Sequence, residues 1–150
     1  MDRIDKKILN LLQKDNRISN QKLAETVGLS APACLKRVKK LREKGVIMAD
    51  VSIVSPQIVG HLINVIVEVE MNRDQLDVYD SFNRQMSACS EVTQCYQVTG
   101  EIDFVLVVLV PDMQTYEAFA RRELASNHHL RKFRSLISLR REKFRTAIEL

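Results

Sequence analysis

The sequence predicts an α+β protein built from two small domains, and three observations carry this prediction. The first fifty residues hold three short segments with helical apolar spacing. The remaining hundred hold four apolar runs and two helical segments in the order βαββαβ. Positive charge is concentrated at the start, with twelve Lys and Arg against six Asp and Glu in residues 1–50, and eleven against thirteen afterwards. We assign residues 1–50 to one domain, 51–61 to a linker with a short strand at 51–54, and 62–150 to a second domain.

Helix start and stop signals delimit three N-terminal helices, predicted over residues 3–14, 20–27 and 31–44. Ser19 and Ser30 are typical N-cap residues of the second and third helices. Gly28 permits a sharp turn between these two helices, and Gly45 ends the third. Three helices with a glycine-containing turn before the last one match the helix-turn-helix motif.

The third helix has two chemically different faces. Cys34, Val38 and Leu41 fall within one narrow arc and should pack inward, whereas the opposite arc is mostly cationic. In the major groove of a DNA duplex, such a helix sets its small N-terminal side chains near base edges and its cations near phosphates or guanines. A solvated amphipathic helix has the same pattern, but the two preceding helices and the turn favour DNA binding. The candidate DNA-binding residues are Ser30, Ala31, Ala33, Lys36, Arg37, Lys39 and Lys40.

The second domain is predicted to be ferredoxin-like, with both helices on one face of a four-stranded antiparallel sheet. Its strands are predicted over residues 62–71, 92–99, 104–110 and 132–141, and its helices over 74–90 and from 112 through Leu124. The third strand is apolar at every position, which is typical of a strand buried on both faces. A monomer would leave one of these faces in water. We therefore expect a homodimer that forms through the sheet and presents two helix-turn-helix heads to two half-sites.

Two stretches of the chain resemble a known family of regulators. They are IDKKILNLLQKDNRISNQKLAETVGLSAPACLKRVKKLREKGVI in the first domain and VTGEIDFVLVVLVPDMQTYE in the second. Together they are similar to the leucine-responsive and asparagine-operon regulators, the Lrp/AsnC or feast/famine family, and the similarity covers almost the whole chain. The resemblance implies a cytoplasmic transcription regulator that binds double-stranded DNA. It also implies dimers that assemble further, commonly to octamers, with an amino acid bound where dimers meet.

The resemblance also implies an effector site at the turn after the second strand and the segment after the third. Carried over to this chain, the effector-binding residues are Thr99, Gly100, Glu101, Ile102, Asp103 and Met113. Backbone N–H groups at a glycine turn suit an α-carboxylate, and Glu101 or Asp103 can pair with an α-ammonium group. The alternative is that Gly100 only makes a hairpin turn and the acids are solvated. Family members usually carry Gly-Asp here, so Gly100-Glu101 predicts a reshaped pocket or an altered ligand.

Other classes of protein have less support in the sequence. The longest apolar run, residues 104–110, is too short to span a bilayer, and the N-terminus has no hydrophobic signal region. The three cysteines lie in no C-x-x-C pair, and no phosphate-binding loop or metal motif is present, so no disulfide, metal or cofactor is predicted.

Two further functions stay open. Some proteins that resemble this family decarboxylate haem precursors, with histidines and arginines converging on a large pocket, and this chain has His61, His128 and His129. The basic third helix argues against an enzyme. An architectural DNA-binding protein without an effector is the other alternative, and it would bind DNA regardless of metabolites.

Overall fold

The chain forms two compact units in the computed structural model, which describes residues 1–72 and 77–150. Residues Met1–Ile53 and Glu142–Leu150 make up the first, which we call the head unit. Residues Val54–Arg141 make up the second, the sheet unit. The predicted boundaries placed all residues after 62 in the second domain, whereas here the last nine pack with the head unit.

The head unit contains the three predicted helices, α1 Arg3–Leu12, α2 Asn20–Val27 and α3 Ala31–Glu43. Asp2 and Asp5 form a capping box at the start of α1, in which each carboxylate accepts the backbone N–H of the other residue. The Ser19 hydroxyl accepts the Lys22 N–H at the start of α2, and α2 ends at Gly28, whose φ of 76° is left-handed.

The three helices share one small apolar core. The predicted inner stripe of α3 is buried in it, since Cys34, Val38 and Leu41 are at most 5 % exposed. The remaining members come from α1 and α2 and are Ile8, Leu9, Leu23, Ala24 and Val27. Because this stripe faces inward, the opposite side of α3 is turned to solvent.

The sheet unit has the predicted βαββαβ order. Its elements are β1 Ile63–Met71, α4 Val78–Ala88, β2 Val92–Gln97, β3 Phe104–Val110, α5 Met113–Phe119, which continues as a π-helical turn over Ala120–Ala125, and β4 Leu130–Ile137. The strand order is β2-β3-β1-β4, and every neighbouring pair is antiparallel. This is the ferredoxin-like arrangement. The predicted first helix of this unit started at residue 74, and residues 74–76 lie outside the described residues.

The two faces of the sheet are covered differently. Alternate side chains of β1 and β3 pack against α4 and α5 in the main core, where Phe82, Phe104 and Phe119 are at most 1 % exposed. The other face, which we call the open face, carries an apolar group formed by Ile66, Tyr96, Val105, Val107, Leu109 and Leu136. Ile66, Tyr96 and Leu136 are 38 %, 52 % and 42 % exposed. Only one face of β3 is therefore fully buried within the chain.

Two predicted strands differ most in the structure, and β2 also ends at Gln97 rather than at residue 99. Residues 51–54 form no strand, and Val51, Ile53 and Val54 are exposed, because no strand among residues 1–72 and 77–150 pairs with their backbone groups. The last strand ends at Ile137 rather than 141, and it starts two residues early because Leu130 pairs with Met71 of β1. These differences arise from pairing across the chain, which local composition does not encode.

The cysteines lie beside apolar side chains. Cys34 is buried in the head unit, and Cys89 and Cys95 are half-buried against the sheet core. Burial raises the pKa of all three thiols, and with the added effect of Glu123 it raises the pKa of Cys89 to about 11. Across residues 1–72 and 77–150, no cluster of three or more His, Cys, Asp and Glu side chains has the arrangement to hold a metal ion. No helix within these ranges is long and apolar enough to cross a membrane.

Candidate DNA interface and effector cleft

The turn between α2 and α3 is fixed by hydrogen bonds. The Asn20 side-chain amide donates to the Ala31 carbonyl at 2.8 Å, and the Leu29 N–H donates to the Ala24 carbonyl at 2.9 Å. Ser30 is the N-cap of α3, with φ −70° and ψ 150°, but its hydroxyl makes no capping bond to the described helix. Ser30 and the small Ala33 are both exposed at the start of α3.

The outer side of α3 presents a row of lysines. Lys36, Lys39 and Lys40 are exposed. Lys39 approaches Glu43 at 3.8 Å, but both side chains are mostly in solvent, so this ion pair is weak. A polyanion can displace such a contact with little loss, and these lysines therefore suit phosphate groups.

Arg37 has a different arrangement from the lysines beside it. Its Nη1 atom donates to Asp2 Oδ2 at 2.7 Å and to Asp5 Oδ1 at 2.8 Å. Both acids are also held by the capping box of α1, so the guanidinium pins α3 to the start of α1. Sequence reasoning counted Arg37 with the DNA-contacting cations and missed this ion-paired group. The sequence feature that could have revealed this group is the pair of acids, three residues apart, at the start of a helix.

The three charges of this group support one another. The Asp5 N–H and then the Arg37 guanidinium lower the pKa of Asp2. Burial raises the pKa of Asp5, but the Asp2 N–H and Arg37 more than offset it, and the net pKa lies below the usual value. The two carboxylates in turn raise the pKa of Arg37. All three groups therefore stay charged at neutral pH.

Asp103 is the buried member of the predicted effector set, at 7 % exposure. Its carboxylate accepts the Met71 N–H at 2.7 Å and the Tyr79 hydroxyl proton at 2.9 Å. Its own N–H donates to the Val69 carbonyl at 2.8 Å. Asp103 therefore ties the turn between β2 and β3 to β1 and α4. Asp103 was predicted, as an alternative to Glu101, to pair with an α-ammonium group. In the structure its carboxylate is instead hydrogen-bonded within the fold.

Glu101 and Ile102 line a cleft of about 140 Å³, which we call the Glu101 cleft. Its other lining residues come from β1 and β4 and are Glu68, Glu70, Lys132, Phe133 and Arg134. Arg134 Nε donates to Glu68 at 2.7 Å, so carboxylates and cations are interleaved along the wall. A cleft lined by both signs of charge complements a zwitterion. Sequence reasoning missed the charged residues of β1 and β4, because only strand pairing brings them beside the turn.

The other predicted effector residues lie at two places. Thr99 and Gly100 are exposed in the same turn as Glu101, and Gly100 has a φ of 119° that favours glycine. Met113 begins α5, after the far end of β3. Seven strand residues at about 3.3 Å each separate it from the turn by roughly 20 Å. One chain therefore does not bring Met113 to the Glu101 cleft.

A second cleft, of about 260 Å³, lies between β1, α4 and the segment that follows α5. His128 and His129 line it together with Ser81, Gln85 and Asn127. Among the described residues of its wall there is no arginine, and His61 does not contribute. The convergence of histidines and arginines that a haem-precursor decarboxylase needs is not formed by these residues.

The different roles of the two acids in the turn can be measured. Replacing Asp103→Ala leaves the buried Met71 N–H without its acceptor, so we expect the free energy of unfolding to fall by about 1–3 kcal/mol. Replacing the exposed Glu101→Ala is the matched control and should change it by less than about 0.5 kcal/mol. Urea denaturation followed by circular dichroism measures both. Equal stability of the two variants would contradict the structural role of Asp103.

Comparison with known proteins places both units. Residues 64–148 match the family model of the Lrp/AsnC ligand binding domain, and residues 1–48 match a winged helix-turn-helix DNA-binding model. An HTH-type transcriptional regulator of Sinorhizobium fredii is 43 % identical over the whole chain and 89 % of its own length. The leucine-responsive regulatory protein of Escherichia coli is 41 % identical over 77 % of this chain and 71 % of its own.

Solved structures agree with this assignment. A transcriptional regulator from Neisseria meningitidis, crystallised as a complex with L-Met, superimposes with a TM-score of 0.91. It is 30 % identical, and the superposition covers 99 % of this chain and 96 % of the other. The helix-turn-helix head, the ferredoxin-like sheet unit and the extent of these matches lead to one conclusion: the chain belongs to the Lrp/AsnC family of transcription regulators.

Proposed function

We propose that the protein regulates amino-acid-responsive genes in the cytoplasm, and that an amino acid bound at the Glu101 cleft controls its assembly on DNA. The observation that carries this proposal is the charge-lined cleft beside a glycine turn, in a chain whose head unit exposes a row of lysines. The Neisseria relative holds L-Met, and the Escherichia relative is named leucine-responsive, so the proposed effector class is an amino acid.

In the proposed DNA complex, α3 lies in the major groove. Ser30, Ala31 and Ala33 face the base edges, and Lys36, Lys39 and Lys40 face phosphates. All of these residues except the half-buried Ala31 are exposed in the head unit. Such small side chains offer few hydrogen bonds to bases, so DNA shape contributes much of the selectivity. Arg37 does not contact DNA in this proposal. It holds α3 in position through Asp2 and Asp5.

Salt dependence distinguishes the contacting cations from the positioning one. Lys36→Ala and Arg37→Ala remove the same charge from α3, but only the first removes a phosphate contact. We expect Lys36→Ala to reduce the magnitude of the slope of log K against log salt by about 0.9 for each head on the duplex, or about 1.8 for the proposed dimer. Arg37→Ala should weaken binding while leaving the slope unchanged. Fluorescence anisotropy with a duplex selected by the wild-type protein from random sequence measures both. An equal loss of slope in the two variants would assign Arg37 to the DNA contact.

At the effector site, the ammonium group of the amino acid meets Glu101, and its carboxylate meets the Gly100 turn and Arg134. Met113 of the partner subunit closes the site, which is why the residues implied by the family resemblance are split between two places on one chain. The ligand favours the assembly state in which these surfaces meet, and this changes how several heads align on DNA.

The effector site is tested by a single charge removal. Wild-type protein is titrated with each of the twenty amino acids by isothermal calorimetry, and the best binder is then titrated into Glu101→Gln. We expect at least a tenfold weaker Kd, because the amide cannot form an ion pair with the ammonium group. Glu117→Gln, on the exposed side of α5, is the matched control and should bind the amino acid with the wild-type Kd. Absence of binding for every amino acid would refute the sensor function.

The open face is proposed as the dimer interface. Its apolar side chains continue across all four strands, and water on this face is unfavourable. A second copy that packs its own open face here covers both surfaces and supplies two α3 helices for two half-sites. Further association of dimers, commonly to octamers in the family, then brings the effector sites together.

A charge on the open face should separate the subunits. Val107 is half-buried at the centre of this face, and Val107→Lys places an ammonium group where an apolar partner would lie. We expect the mass in analytical ultracentrifugation to fall to that of a monomer. Ser87→Lys, on the exposed side of α4, adds the same charge and should leave the assembly intact. An unchanged mass for Val107→Lys would show that the subunits meet elsewhere.

A further inference from the structure

The last nine residues of the chain complete the head unit. After β4 ends at Ile137, residues Glu142–Leu150 pack with Met1–Ile53, although they form no helix or strand. The head unit is therefore discontinuous in sequence. Two connections join it to the sheet unit, the linker after Ile53 and the stretch that follows β4.

Gln13 holds this segment to α1. Its side-chain Nε2 donates to the Ile148 carbonyl at 3.0 Å, and its Oε1 accepts the Ile148 N–H at 2.8 Å. Gln13 is the C-cap residue of α1, so its side chain lies where the helix ends. Leu150 adds an apolar contact, since it packs partly buried against the head core. One amide side chain therefore binds the backbone of the segment in the way that a neighbouring strand would.

The attachment is suited to release. Both hydrogen bonds are exposed, and the Ile148 side chain remains 68 % exposed. Segments with few buried apolar contacts and solvent-exposed backbone hydrogen bonds open at small free-energy cost. The segment can detach without unfolding the three helices, whose own core consists mainly of residues from α1, α2 and α3.

The strand that precedes this segment in the chain, β4, contributes to the wall of the Glu101 cleft. Lys132 and Arg134 of β4 line the Glu101 cleft, and β4 pairs with β1 along its length. Only residues 138–141 separate the end of β4 from the head-packed segment. One continuous stretch of chain therefore leads from the wall of the cleft to the end of α1.

We propose that residues 142–150 are a strap that couples the effector site to the DNA-binding head. In the docked state Gln13 and Ile148 are bonded, and in the released state the head is tethered by the linker alone. A ligand in the Glu101 cleft contacts β4 and binds the two states with different affinity, so it changes the orientations open to the head. The coupling rests on the proposed function, whereas the docking of the strap does not.

The docking is tested on the full chain by hydrogen exchange. Gln13→Ala removes both hydrogen bonds to Ile148, and we expect faster exchange in the peptide that covers the last residues. Gln21→Ala is the control, because Gln21 contacts Glu25 within α2 at 3.3 Å and should leave that peptide unchanged. Equal exchange in wild type and Gln13→Ala would show that the strap is not docked in solution.

The coupling is tested by DNA affinity with and without L-leucine or L-methionine, on a duplex selected by the wild-type protein. We compare wild type, Gln13→Ala and a chain that ends at Arg141. Both variants should still bind the amino acid in calorimetry, with a Kd moved toward that of the released state, but the shift in DNA affinity caused by the amino acid should fall to less than half of the wild-type shift in log Kd. Gln13→Ala keeps the test valid if the shortened chain is unstable.

The possible failures are distinguishable. A full wild-type response in both variants overturns the strap and leaves the proposed function intact. A wild-type protein that binds DNA but ignores amino acids defeats the sensor function and the coupling together. In that case the exchange experiment still decides whether the segment docks on α1.

Discussion

The constraint on which this structure depends is that both helices of the sheet unit cover the same face of the sheet. One face of the apolar strand β3 is then buried within the chain, whereas Val105, Val107 and Leu109 lie on the other face. In the proposed dimer, a second subunit buries that face. The proposed dimer, the pairing of two heads on DNA and the placement of effector sites at subunit contacts all follow from this one-sided packing.

Acidic residues illustrate how burial decides the use of a charge. Asp103 is buried and holds the turn to β1 through Met71, whereas Glu101, two residues earlier, is exposed and lines a cleft. In the head unit, Arg37 is ion-paired with Asp2 and Asp5, whereas the neighbouring Lys36 is exposed. A count of the cations on a helical face therefore overestimates how many are available to DNA, because some of them are ion-paired within the fold.

The contacts inside the head unit differ in kind from the segments that join it to the sheet unit. The short helices of the head are held together by a core, an ion-paired group and the Asn20 contact, which keep α3 in one orientation within its unit. The exposed linker and the weakly held C-terminal segment are the places where the chain can adjust. In the proposed function, a rigid head on adjustable connections lets a change of assembly alter the alignment of several heads without altering how each one contacts DNA.

The sequence by itself determined the elements whose signals are local. The caps at Ser19 and Ser30, the inner stripe of α3 and the full extent of β3 depend on periodicity and on residues next to one another in the chain. The family resemblance supplied the effector role of the turn at Gly100, and the residues themselves predicted the turn. Tertiary structure decided the rest: the pairing of Arg37 with acids at least 32 residues away, the engagement of Asp103, the charged walls of the cleft and the return of Ile148 to Gln13. The physical reason is that the periodicity of a helix or a strand is visible in consecutive residues. Contacts between distant side chains depend instead on which faces of these elements pack together.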